Sequence, residues 1–144
     1  EKLGKPLFLH ERSAAEDFIR RFKKHQDICK KSVVHCFTGD RKTLEQYLSM
    51  GFSIGITGWI CDDRRAKELR EAVQMIPLDR ILVETDAPYL TPRNVPGLDR
   101  TNTPQNIVYV VRELAKYMKV SEETLAEHAR KNTERLFSIS HANE

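Results

Sequence analysis

The chain has 144 residues, 40% of them hydrophobic, with 24 Lys+Arg against 21 Asp+Glu and a net charge of +3. This composition fits one globular domain or a piece of one and excludes a low-complexity chain. No apolar run approaches the roughly 18 residues of a membrane span, and the charge excess is too small to announce nucleic-acid binding, though it does not oppose an anionic substrate.

No signal peptide is visible, although Glu1 is not an initiator Met. Cys29, Cys36 and Cys61 are odd in number and lack the pair spacing of a zinc knuckle. Reduced thiols in an intracellular protein are expected, in the cytoplasm or, in a eukaryote, the nucleus.

In chain order, one unit recurs. Lys5 to His10 is an apolar run ending in His. Ser13-Ala14-Ala15-Glu16 reads as a capping box opening a helix with Ala14, Phe18 and Phe22 on one stripe. The second strand starts at Ser32 and also closes on a histidine, His35. A helix with Leu44, Tyr47 and Leu48 inward follows and ends at Gly51. Phe52 to Thr57 is the third strand. Gly58 turns it, and Asp62 or Asp63 is expected to cap a helix using Ala66, Leu69 and Val73. The fourth strand, from Arg80, carries the apolar run Ile81 to Val83 and then Glu84 and Asp86, before Pro88 stops it.

Beyond a proline-rich loop, Thr103-Pro104 opens a helix marked by Ile107, Val108, Val111, Leu114 and Ala115. Ser121 caps a last helix to Leu136, and the tail from Ser138 to Glu144 is expected to fray. Strand and amphipathic helix, four times over, predict an α/β fold with parallel strands adjacent in sequence order and helices on one face. Strand spans are placed near 6–10, 32–36, 52–57 and 80–86. Four strands cannot close a barrel that needs about eight, so bare edges are expected on the first and fourth.

The chemistry-bearing residues close strands. His10, His35 and Asp86 each stand at a strand's C-terminal end, where ligands collect in parallel α/β proteins. Glu84 and Asp86, two apart, point to one face. A buried carboxylate pair there is costly unless compensated, and a metal ion is one compensation. The plainer alternative makes Asp86 a turn cap. Imidazole plus carboxylate suits zinc, manganese or iron, and oxygen-rich variants suit magnesium. Cys36 alternates with His35, so its thiol is expected to face the helix layer as core packing. Arg12 and Arg93 follow strand ends and are candidates for binding a phosphate. Trp59 and Tyr89 are rim aromatics, suited to stacking a base or packing a loop. Arg64-Arg65 reads as solvated charge.

Four ordered blocks, Leu9-His10-Glu11-Arg12, His35-Cys36-Phe37-Thr38-Gly39, Ile54-Gly55-Ile56-Thr57-Gly58-Trp59 and Val83-Glu84-Thr85-Asp86-Ala87-Pro88-Tyr89-Leu90, closely resemble the signature blocks of the TatD family. The resemblance implies a metal-dependent deoxyribonuclease on a TIM (β/α)8 barrel, hydrolysing DNA phosphodiester bonds with 3′–5′ exonuclease character. It implies His10, His35 and Asp86 as ligands of divalent metal (Mg, Mn or Zn, two ions in the complete site), with Asp86 also the general base. Glu84 carries over only as a barrel-interior residue.

The family's opening His-x-His strand and its glutamate have no counterpart here. A whole barrel takes roughly 250 residues, so residues 1–144 are expected to be the C-terminal half of one domain, and the isolated chain to lack full activity. The family's Arg-Asn-Glu-Pro segment reads Arg100-Thr101-Asn102-Thr103-Pro104, which leaves substrate contact there open. Two other readings stand beside the nuclease: a D-aminoacyl-tRNA deacylase on the same metal site, and a non-catalytic domain binding a partner through open sheet edges. The partner expected on the first reading is DNA, with no membrane; the sequence is silent on oligomeric state.

Overall fold

A computed structural model describes residues 2–139. Four strands, β1 (Leu7–His10), β2 (Ser32–His35), β3 (Ser53–Ile56) and β4 (Ile81–Val83), form one sheet in the order β1-β2-β3-β4. All three pairings are parallel. The fold is therefore α/β, four parallel strands with flanking helices, in the predicted strand order. The fourth strand is shorter than expected, ending at Val83 rather than Asp86. Ladder bonding persists only to the Glu84 amide, which donates to the Ile56 carbonyl at 2.9 Å.

The register makes the two faces of the sheet different. Leu9, Val34, Ile54 and Ile81 align in one row across all four strands. The row points outward, and Val34, Ile54 and Ile81 are buried in the main apolar core. Helices α3 (Arg41–Met50), α4 (Lys67–Ala72), α5 (Ile107–Met118) and α6 (Glu122–Phe137) cover that side. They contribute Leu44, Tyr47, Leu69, Val110, Leu114 and Leu125 to the same core. By strand alternation, Phe8, His10, Val33, His35, Gly55, Leu82 and Glu84 belong to the opposite, inner face.

Two predicted helix ends hold. Gly51 ends α3 at φ 97°, and the Asp40 carboxylate starts that helix by accepting from the Thr43 amide at 2.8 Å. Ser121 accepts from the Thr124 amide at 3.1 Å to start α6. Others do not. Helix α1 (Ala15–Phe22), which the single turn α2 (Gln26–Cys29) follows, begins after Ala14 with no side-chain cap. Ser13 sits at φ 57°, so the Ser13–Glu16 box never closes. Glu11 takes its place: one carboxylate oxygen accepts from the Ala14 amide at 2.6 Å and the other from the buried Tyr47 hydroxyl at 2.7 Å. That bridge ties the loop after His10 to α3.

Neither Asp62 nor Asp63 caps α4, whose N-cap is Ala66. Asp62 instead follows a 3-10 turn, Gly58–Cys61, and gathers arginines. Thr103 opens only a 3-10 turn, Pro104–Asn106, without a side-chain cap bond.

The β4 edge is not bare. Asn132 on α6 is buried and donates to the Leu78 and Ile81 carbonyls, each at 2.8 Å. On the β1 edge, Phe8 remains 56% exposed. The three cysteines are buried free thiols. Among the described residues no helix is long and apolar enough to cross a membrane. Of the predicted frayed tail, residues 140–144 lie outside the described residues.

Candidate functional site

Parallel register puts His10 directly opposite His35. Their rings lie side by side, centroids 6.0 Å apart. His35 is the centre of the arrangement. Its Nδ1 is 2.7 Å from Glu84 Oε2, and its Nε2 is 3.3 Å from Asp86 Oδ1. Two carboxylates from one short segment thus grip opposite edges of one imidazole. The chain manages this because β4 ends early: Glu84 still follows the strand, while Asp86 adopts φ 59° and turns its carboxylate back across the rim. Left-handed backbone is uncommon for a non-glycine residue, with Asp among the tolerant types.

Glu84 is held as firmly as it holds. Its Oε2 also accepts from the Cys36 amide at 3.1 Å, while Oε1 is buried with no hydrogen-bond partner. Room for this carboxylate comes from Gly55: a Cβ there would stand 2.3 Å from Glu84 Oε1 and 2.4 Å from its Cδ. The Glu84 hydrogen bond raises the His35 pKa above its ordinary range. Burial opposes that shift and Asp86 adds to it.

Cys36 departs from the expectation of a thiol turned to the helix layer. It is buried, but one donor atom from each of His35, Cys36 and Asp86 lies within 4.8 Å of the other two. The reason is local. Cys36 has φ 49°, which ends the strand and breaks the alternation the expectation relied on. Its Sγ also lies 3.3 Å from Thr57 Oγ1, and burial raises its pKa, keeping the thiol protonated.

The donor chemistry fits a divalent ion. Two donors each about 2.1 Å from one ion, in tetrahedral or octahedral geometry, are themselves about 3.0–3.4 Å apart. The His35–Asp86 separation of 3.3 Å lies within that span. The Glu84 bond to the far ring nitrogen is the carboxylate–histidine support found behind metal-binding imidazoles.

The remaining residues divide between two cavities. One of about 280 Å³ is lined by His10, Arg12, Cys36, Trp59, Arg65, Asp86 and Tyr89. Thus His10 and Arg12 share a wall with Asp86, although His10 lies outside the three-donor cluster. The other, of about 550 Å³, contains Asp62, Arg65, Tyr89, Arg93 and Arg100. Arg93 belongs there, with its Nε 3.7 Å from Asp62, and not beside His35. Asn102 is structural: buried, it donates to the Thr85 and Tyr89 carbonyls at 3.0 and 2.8 Å and so clamps the loop bearing Asp86.

Sequence reasoning had the Glu84–Asp86 spacing but missed Glu84's grip on His35, which depends on a glycine one strand away. It also read Arg64 and Arg65 as solvated charge, whereas both pair with Asp62.

A family model described as TatD related DNase matches residues 1–138. The chain belongs to the TatD family. It is 44% identical over 142 residues to the 3'-5' ssDNA/RNA exonuclease TatD of Rahnella sp. (strain Y9602), covering 97% of this chain and 54% of that protein. The protein of the same name from Erwinia amylovora is 45% identical over 140 residues, again across 54% of its length. The chain thus spans about half the length of the curated relatives it matches. Among solved structures, YJJV, a TatD homolog from Escherichia coli K12, superposes with a TM-score of 0.83 at 28% identity, over 94% of this chain and 51% of that one. The four βα units, the strand-end histidines and the Glu84–Asp86 segment therefore lie on a TatD framework.

Proposed function

We propose that this chain carries the C-terminal half of a TatD-type hydrolytic site acting on phosphodiester bonds of DNA, trimming from a 3′ end. The observation that carries the reading is the His35 imidazole held between Glu84 and Asp86, with Nε2 and Asp86 Oδ1 at 3.3 Å. Its support from relatives is the name 3'-5' ssDNA/RNA exonuclease borne by the Rahnella and Erwinia proteins.

His10, His35 and Asp86 are the residues that would hold divalent metal, with Cys36 a buried neighbour. A bound cation there would supply Lewis acidity at the scissile phosphate. The protein's own groups do the rest. Glu84 accepts a hydrogen bond from His35 Nδ1, leaving Nε2 with a lone pair directed to the rim. Asp86 takes a proton from the attacking water as the water oxygen bonds to phosphorus; the P–O bond to the 3′ oxygen breaks, and that oxygen leaves as a hydroxyl on receiving the proton back from Asp86. Arg12, on the wall of the same cavity, orients the phosphate as a forked donor, and Arg93 serves further out. The ligands and the four βα units read as part of a larger barrel whose other strands complete the coordination.

The test is Asp86→Asn in the full-length protein, assayed on a 3′-labelled oligonucleotide with saturating magnesium or manganese. Loss of at least about 100-fold is expected, since one nearly isosteric change removes both ligand charge and base. Activity within about a factor of two of wild type would leave Asp86 as a turn cap and end the proposal.

A further inference from the structure

The groove beside the hydrolytic cavity is organised by a buried acid that has no place in the chemistry above. Asp62 follows the 3-10 turn after β3, with its side chain only 3% exposed. Arg64 forks onto both of its oxygens, Nε at 2.9 Å and Nη2 at 2.7 Å. Arg65 adds its Nε at 2.9 Å, and Arg93 approaches at 3.7 Å from the loop after β4. Three guanidiniums face one carboxylate, so two positive charges are left over. All three side chains remain between 42% and 63% exposed. Arginine stays charged at any working pH, so this excess is permanent. The carboxylate also fixes where the forks point, lowering the ordering cost of binding an anion.

Arg65 is held from a second side. Its guanidinium lies 3.9 Å from the centroid of the Trp59 ring, with Arg12 at 5.7 Å from the same ring. The opposite wall of the groove is the 88–100 loop. It approaches because residue 58 is glycine, where a Cβ would meet the Leu90 carbonyl oxygen at 2.0 Å. That approach sets Tyr89, 72% exposed, at the boundary of both cavities. The groove's own volume, about 550 Å³, suits a nucleotide-sized ligand, within the roughly 300–1,000 Å³ of binding pockets.

A fixed cationic wall and an exposed aromatic ring in a groove running from a hydrolytic cavity are the two elements of single-strand recognition: phosphate contacts and base stacking. We propose that this groove is a strand-binding subsite. In it Arg65 and Arg93 hold backbone phosphates of a single-stranded nucleic acid leading away from Asp86, and Tyr89 carries a base. This rests on the nuclease reading, which names the hydrolytic centre but not the path of the strand. Asp99 and Arg100, also on the groove wall, cancel in charge.

The test is equilibrium binding of a fluorescent oligothymidylate of about ten nucleotides to the full-length protein in EDTA, across a salt series. Arg65→Gln/Arg93→Gln should bind at least about tenfold more weakly. Its dependence of log K on log salt should be shallower by about 1.4, two phosphate contacts at about 0.7 each on a single strand. Tyr89→Ala should weaken binding with the slope unchanged. Arg20→Gln/Arg21→Gln, the same charge change on α1 where both arginines pair with Asp17, should bind as wild type. Equal losses in the two double variants, or no change in affinity and slope at Arg65 and Arg93, would overturn the subsite. Should the neutral pair unfold, Arg65→Lys/Arg93→Lys decides: weaker binding at unchanged slope supports the forked contact, and wild-type affinity refutes it. Since this binding needs neither metal nor turnover, it can fail while Asp86→Asn still abolishes cleavage, and the reverse.

Discussion

The two faces of the sheet obey different rules. On the outer face Val34, Ile54 and Ile81 of the aligned row are buried against helices in the main apolar core, with Leu9 packed at its margin. On the inner face the corresponding positions hold His10, His35 and Glu84, a glycine at 55, and a half-exposed Phe8 whose ring lies 4.6 Å from His35. The outer face exchanges apolar surface for close packing, which holds the strands. The inner face keeps polar groups in place through one another. Substitutions on the outer face should therefore move stability and leave chemistry alone, and those on the inner face the reverse.

The largest effect expected tests the outer face. Phe52 is fully buried and packs edge-on against Phe22 and Tyr47. Phe52→Ala should cost about 3–5 kcal/mol by denaturant unfolding, while activity per folded molecule stays near wild type. A large loss of activity in the folded fraction would break the separation of the faces.

Gly55→Ala probes the inner face. The added methyl displaces the far end of the Glu84 side chain rather than backbone, so stability should fall by only about 1 kcal/mol. On the proposed metal-holding role of His35, activity should nonetheless drop by about 10- to 100-fold, the usual cost of losing the group behind a liganding imidazole. Nitrogen-15 NMR of His35 should show the Nδ1 hydrogen bond lost. An unchanged spectrum would mean that Glu84 does not set the ring.

Asp62 sharpens the comparison by pH. Its pKa is lowered well below the ordinary 3.8, chiefly by the Arg64 hydrogen bond. A carboxylate lowered on folding stabilises fully above its unfolded value, and that contribution disappears as pH falls through the folded value. Asp62→Asn should therefore cost about 1–2 kcal/mol at pH 7, below the figure for a fully buried pair because the guanidiniums are exposed. The gap to wild type should narrow progressively below about pH 4. A gap constant down to acid pH would show that packing, not charge, is what Asp62 contributes.

The smallest effect belongs to a helix end whose cap is an exposed hydrogen bond. Ser121→Ala removes the α6 cap and should cost about 1 kcal/mol, read as a shift in denaturation midpoint with the slope unchanged. The same helix carries Asn132 to the β4 edge. A loss several times larger would mean that the cap also controls how that edge is covered.

The parallel order of the strands, the outward apolar row, the helix ends at Gly51 and Ser121, and the placement of His10 and His35 at strand ends were all legible along the chain. These follow from short-range rules: period two in strands, capping chemistry, and right-handed crossovers that keep successive units adjacent. The TatD resemblance was equally legible, since its blocks are contiguous. What depends on residues far apart, or on single backbone angles, emerged only in the folded chain. The failed capping box at Ser13 was replaced by Glu11 bonding to a tyrosine 36 residues on. Cys36 joined the site because one φ of 49° broke its alternation. Glu84 reached His35 because a glycine on the strand between them left its carboxylate space, and Asp62 gathered an arginine from a loop 31 positions later. Local periodicity determines which face a residue occupies; its partner there depends on where other strands and loops stop.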